Sequence, residues 1–271
     1  MTITSTTTTS QNWTRDMIDV AGTTIEVVKG GSGEPLLILH GELGNHGWLN
    51  YHEGLSQNSS LFVPSHPGFG ASPRLDWIMN MRDLAGWYLR ALDEMNIGPI
   101  NVIGHSLGGW LAAEMATMDP QQFKKMVLVG PAGIKPPEGE IFDMFLVIAK
   151  EYMEECLLDA EGSAEFHQIF QEEPTPEHVE LLEVAREEAC RLSWKPYMYY
   201  PGLPHLLGRI KSLPTMIVCG RQDSVVPLSA AEVYNQSIQG SELAIIDNCG
   251  HLPEIEKPEE FTTLVQKFLG N

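Results

Sequence analysis

The chain has 271 residues, 43% hydrophobic and 20% charged, with 17 Lys plus Arg against 36 Asp plus Glu for a net charge of −19. That suits one large domain, or one domain carrying an insertion, whose core buries roughly three quarters of the unfolded surface. Collagen-like, disordered and disulfide-framework chains are excluded, and the acidic balance argues against a nucleic-acid partner, which needs a basic face.

Residues 1–15 open with a run of Thr and Ser, and residues 1–12 carry neither a basic flank nor an apolar run. They are expected to form a flexible tail rather than a signal peptide. Residues 17–20 and 24–28 flank Ala21-Gly22 and predict an antiparallel hairpin at the start of a sheet. Short apolar runs follow at 36–39, 61–63, 100–103, 126–129, 216–219 and 243–246. None alternates cleanly with polar residues, the pattern of strands buried on both faces in a parallel sheet. Helices are predicted among these runs over 81–95, 107–118, 228–238 and 258–269. Strand and helix in turn form the βαβ signature.

The rhythm breaks after Val129. Ile141, Phe145, Ile148 and Tyr152 keep helical spacing, Leu181, Leu182, Ala185, Ala189 and Leu192 repeat it, and prolines punctuate the stretch. A helical cap is therefore expected over residues 133–207, inserted into a core of residues 16–132 and 208–271. Between 138 and 188, sixteen acids stand against Lys150 and Arg186. This reads as a solvated outer face, or more sharply as a field that disfavours anionic substrates. No stretch reaches the ~18 apolar residues of a spanning helix, so no membrane partner is expected. Cys156, Cys190, Cys219 and Cys249 sit at wide spacings without a CxxC. Zinc and a disulfide scaffold are not implied, and reduced thiols in a cytoplasmic setting are the expectation.

The chemistry concentrates after the run at 100–103. There Gly104-His105-Ser106-Leu107-Gly108 forms G-x-S-x-G between a buried strand and a helical pattern. Ser106 is the expected nucleophile, held at a strained turn with the helix N-terminus beneath it. A hydroxyl needs a base to take its proton. Of nine histidines, His251 follows the run at 243–246 by a short turn, placing it at a strand's carboxyl end. His105 adjoins Ser106 but should point away. His167 and His178 are expected at the surface, His205 could face the pocket, and His46, His52 and His66 could line its mouth. Asp223, after the run at 216–219, is the expected orienting acid, with Asp247 as rival. The developing oxyanion needs two donors. The backbone N–H of Leu107 is one. Glu42, in the loop after the run at 36–39, supplies the other, with Leu43 second. The Glu42 side chain must then turn away from the anion.

His40-Gly41, Ser65-His66-Pro67-Gly68-Phe69-Gly70, Gly104 to Gly109, Gly220-Arg221-Gln222-Asp223 and Gly250-His251-Leu252-Pro253 resemble the α/β-hydrolase superfamily. The likeness runs from about residue 17 to the C-terminus and is weakest across the cap. It implies an α/β-hydrolase fold: a mostly parallel eight-stranded sheet, with helices on both faces and an inserted helical lid. Ser65 stands where the family often has an acid supporting the loop. The His-Gly-Glu opening and Trp48 look somewhat like haloalkane dehalogenases. Those use an Asp nucleophile, as do epoxide hydrolases of this fold, and Ser106 argues against both.

The expected function is a carboxylesterase-like serine hydrolase on small to medium neutral esters, needing no metal or organic cofactor. Its partner is a small-molecule ester, in a monomer or homodimer. The alternative uses the same residues on a carbon–carbon bond, as in hydrolases of vinylogous diketones. Such substrates carry a carboxylate, for which Arg191 is the best candidate anchor. Thioester or lactone opening stays open, and a non-catalytic binding protein is the remaining reading.

Overall fold

The two-sided apolar runs settle in the middle of a sheet. The computed structural model describes residues 12–171 and 173–270. In chain order the elements are β1 (Trp13–Val20), β2 (Thr23–Gly31), β3 (Glu34–Leu39), α1 (Asn50–Ser56), β4 (Ser59–Pro64), α2 (Met81–Glu94), β5 (Ile100–His105), α3 (Leu107–Met118) and β6 (Phe123–Val129). Then follow α4 (Ala149–Cys156), α5 (Ala164–Ile169), α6 (Pro176–Ser193), α7 (Leu203–Leu207), β7 (Thr215–Gly220), α8 (Leu228–Ser237), β8 (Glu242–Ile246), α9 (Pro253–Glu256) and α10 (Pro258–Leu269).

The strands form one eight-stranded sheet in the order β1-β2-β4-β3-β5-β6-β7-β8. Only β2 runs against the rest. Every residue of β5 and β7 is buried, as parallel strands covered on both faces should be. Helices cover the sheet in two groups, α1 with α9 and α10, and α2, α7 and α8 around α3. The α3 helix is apolar nearly all round because α2 covers what the sheet does not. The register aligns Leu39 with Gly104, His105 with Val129, and Gly220 with Ile246. The loops after these strands therefore meet along one edge.

Two expectations need correction. The first strand begins at Trp13, so residues 13–15 belong to the sheet and not to a tail. The earlier residues, 1–11, lie outside the described residues. Trp13 also stacks on Trp48, with ring centroids 5.8 Å apart. The second correction concerns the helix expected from Ile141. Met144–Leu146 forms only a single 3-10 turn, and α4 starts at Ala149. Local polar bonds win there. Asp143 accepts from the Phe145 N–H, Phe142 N–H donates to the Val225 carbonyl, and Glu183 accepts from the Ala149 N–H.

Between β6 and β7 the described residues form helices and turns, with one isolated bridge from Gly133 to Tyr199. The end of α4 is tied down onto the carboxyl edge of the sheet. His251 N–H donates to the Cys156 carbonyl at 2.8 Å and Ser224 Oγ to the Glu155 carbonyl at 2.7 Å. Ser65 keeps its loop supported without an acid of its own. Its hydroxyl donates to Glu26 Oε2 at 3.0 Å, so β2 supplies the carboxylate. All four cysteines are free and buried. No helix among the described residues is long and apolar enough to cross a membrane.

Candidate active site

Ser106 joins β5 to α3 with φ +48° and ψ −107°, a region that costs a non-glycine residue about 1–3 kcal/mol. The turn is held by Ser106 N–H donating to the Val129 carbonyl at 2.8 Å, while the Ser106 carbonyl accepts from Trp110 and Ala132 at 3.1 Å each. Gly104 and Gly108 are required by close approach. A Cβ on Gly104 would strike the Gly108 carbonyl oxygen, and one on Gly108 the Leu39 carbonyl oxygen. Ser106 is 1% exposed, at the meeting point of the strand-end loops.

His251, from the loop after β8, places Nε2 2.7 Å from Ser106 Oγ. Its Nδ1 lies 2.8 Å from Asp223 Oδ2, and the other Asp223 oxygen accepts from Val225 N–H at 2.9 Å and Val226 N–H at 2.8 Å. The three expected side chains thus form one hydrogen-bonded line, buried along its length. Burial alone would lower the His251 pKa. The charge and hydrogen bond of Asp223, with Glu42 and Glu254 behind, outweigh it and lift the imidazole to about 9. The rival acid Asp247 is turned to the surface and pairs with Arg221.

Leu107 follows Ser106 directly and opens α3. Glu42 lies in the loop after β3, and here the structure departs from expectation. Its side chain turns in, not away: Ser106 Oγ donates to Glu42 Oε1 at 2.8 Å, with Glu42 only 6% exposed. A motif fixes the backbone of such a loop and leaves the side-chain direction open, so the sequence held no signal for this contact.

The remaining histidines sort by burial. His105 points away from Ser106 and sits 3.1 Å from the buried Glu254, poorly aligned for a hydrogen bond. His66 stacks on His40 with centroids 3.6 Å apart and lies 2.6 Å from the Tyr88 hydroxyl, inside the core. His46 and His52 line a cavity beside Glu42. His167 is exposed and His178 half-buried, while His205 is exposed rather than facing the pocket. Arg191 is engaged by Glu188 and the Ile78 carbonyl, and Arg186 by Glu183 and the Met144 carbonyl.

Two cavities flank the site and share Glu42 and Tyr152 in their linings. One is narrow and apolar, walled by Leu107, Trp110, Met144, Met198, Val225 and Val226. The other, with a volume of about 60 Å³, has a mostly apolar wall into which Glu42, Glu254 and several histidines are set. Tyr152 entered the sequence reading only through its helical spacing, and Glu254 not at all. Burial, followed by the charge of Glu42, pushes the Tyr152 phenol well above its usual pKa, so it stays a hydrogen-bond donor.

A sequence profile for the alpha/beta hydrolase fold matches residues 34–153 and 147–258. A 2-hydroxymuconate semialdehyde hydrolase of Pseudomonas sp. (strain CF600) is 27% identical over 93% of this chain and 93% of its own length. A serine hydrolase involved in carbazole degradation superposes with a TM-score of 0.78 at 22% identity, covering 95% of this chain and 99% of the other. An esterase from Rhodococcus sp. ECU1013 gives a TM-score of 0.74 at 20% identity, with 96% and 99% covered.

Proposed function

The chain belongs to the α/β-hydrolase family, and within it we propose that it is a serine hydrolase cleaving small, neutral, largely apolar carboxylic esters. The observation that carries this reading is the unbroken line Asp223–His251–Ser106, at 2.8 and 2.7 Å. Ser106 attacks the ester carbonyl while His251 takes its proton and Asp223 holds the imidazole in the right tautomer. The backbone N–H groups of Leu107 and Glu42 receive the oxyanion. His251 then protonates the leaving alcohol, and water releases the acid from the acyl-enzyme. The helical segment 133–207 serves as the lid.

The apolar wall beside Ser106 supports a neutral substrate half, and at about 10 Å³ this cavity must widen to admit one. Charge supports the same choice. The carboxylates of Glu42 and Glu254 stand near Ser106, and the cap cations Arg186 and Arg191 are already bound to Glu183 and Glu188.

A second reading is favoured by one observation, the 27% identity to a 2-hydroxymuconate semialdehyde hydrolase over 93% of both chains. It would place carbon–carbon cleavage on the same three residues. The engaged arginines weigh against it, because a carboxylate-bearing diketone needs a cation. A fluorophosphonate probe should label Ser106 in the wild type and not in Ser106→Ala. Neutral esters, carboxylate-bearing esters and a vinylogous diketone are then compared at low and high salt. Neutral esters should be turned over fastest. Diketone turnover above ester turnover would move the assignment to carbon–carbon cleavage, and an unlabelled wild type would overturn the serine hydrolase reading.

A further inference from the structure

The Ser106 hydroxyl carries one hydrogen and faces two groups that can take it, Glu42 Oε1 at 2.8 Å and, when its ring is neutral, His251 Nε2 at 2.7 Å. His251 takes the proton when Ser106 attacks. The Glu42 carboxylate has no task in that step, and its charge opposes an oxyanion forming nearby. The next step is different. Once an acyl group sits on Oγ the hydroxyl hydrogen is gone, and a buried carboxylate has lost a donor. The Tyr152 hydroxyl stays beside Glu42, but a buried carboxylate oxygen without a partner is costly, so a further donor is favoured in the vacated place.

The larger of the two flanking cavities adjoins Glu42, which is part of its lining together with the polar side chains of Tyr51, His46, His52, His105 and Glu254. Its volume of about 60 Å³ has room for about two waters at roughly 30 Å³ each. Around it His52 Nε2, His105 Nε2 and Glu254 Oε2 are buried without a protein hydrogen-bond partner. Such groups are what ordered water satisfies. These side chains are not arranged for a metal: among the described residues no group of three or more His, Cys, Asp or Glu could hold one.

We propose that the Glu42 carboxylate is a positioning residue for deacylation, accepting a hydrogen bond from a water that enters from this cavity and holding it against the acyl carbon. The proposal rests on the acyl-enzyme reading of Ser106. In the step, the water oxygen bonds to the acyl carbonyl carbon and one water hydrogen passes to His251 Nε2. That nitrogen is free, because its earlier proton left with the alcohol. The carbonyl π pair moves to oxygen. The tetrahedral adduct then collapses, the bond from carbon to Oγ breaks, His251 returns the proton to Oγ, and the carboxylic acid departs. Glu42 takes no proton in the step and accepts a hydrogen bond from the second water hydrogen. Its charge also adds to the pull that holds the His251 pKa up.

The test is rapid mixing of wild type and Glu42→Gln with p-nitrophenyl acetate, following p-nitrophenol release. The amide keeps the size and backbone of Glu42 and removes the charge. The variant should show a burst of one p-nitrophenol per Ser106, followed by a steady rate lowered about 10²-fold. KM should fall in parallel, leaving kcat/KM within about threefold of wild type or above it. A second variant, His52→Phe, fills the cavity and should slow the same phase while sparing the burst. An unchanged kcat in Glu42→Gln overturns the proposal. So does a matching loss in kcat and kcat/KM with no burst, the pattern of a residue needed for acylation or folding. Absence of probe labelling in the wild type would instead overturn the hydrolase reading beneath it.

Discussion

His251 is pulled two ways, by burial that favours the neutral ring and by carboxylates that favour the charged one, and the carboxylates win. A base must be neutral to accept the Ser106 proton, so with its pKa at about 9 activity should fall as pH drops through that region. The kcat/KM profile of a neutral ester checks this, and an acid limb near the unperturbed value of about 6.5 would contradict it. Asp223→Asn removes the main source of that pull and the tautomer lock. It should cost about 10⁴-fold in kcat and move any residual acid limb downward.

At the scale of elements, the junction of β5, α3 and β3 is built on backbone contact. Gly104→Ala would drive a methyl group into the Gly108 carbonyl. A loss of about 1–3 kcal/mol in unfolding free energy is expected, read from the urea midpoint, or failure to fold. This junction was legible in the sequence because the glycine spacing, the preceding apolar run and the following helix all constrain one backbone path. The core strands and α3 were legible for the same reason: burial on both faces leaves a compositional mark. The helix expected from Ile141 was not, because apolar spacing there serves a loop packed by Asp143 and Glu183. The inward turn of Glu42 was equally hidden, since a single loop side chain leaves no periodicity to read. Ser65 illustrates the remaining gap. The acid missing from its own position is supplied by Glu26, from a strand 39 residues away in sequence.

The whole molecule holds several histidines in its interior as neutral rings. His40, His52 and His66 are buried, and burial lowers all three, His52 and His66 to about 3 and His40 well below its usual value. Unfolded, each titrates near 6.5, so below that pH the unfolded chain binds more protons than the folded one. Their contribution to stability is present above about pH 6.5 and lost as pH falls toward the folded values. His251 works in the opposite sense, contributing below about 6.5 and losing that contribution as pH rises through about 9. Urea melts between pH 8 and 5 should show the midpoint dropping on the acid side, at up to about 1.4 kcal/mol per pH unit for each buried ring. A midpoint flat across that range would mean these rings are hydrated.

The bond from the His251 backbone N–H to the Cys156 carbonyl pins the end of α4 to the loop that carries the catalytic imidazole. Raising the end of α4 from the sheet would first have to break this link and the one from Ser224 Oγ to the Glu155 carbonyl, while the imidazole keeps its own ties to Asp223 and Ser106.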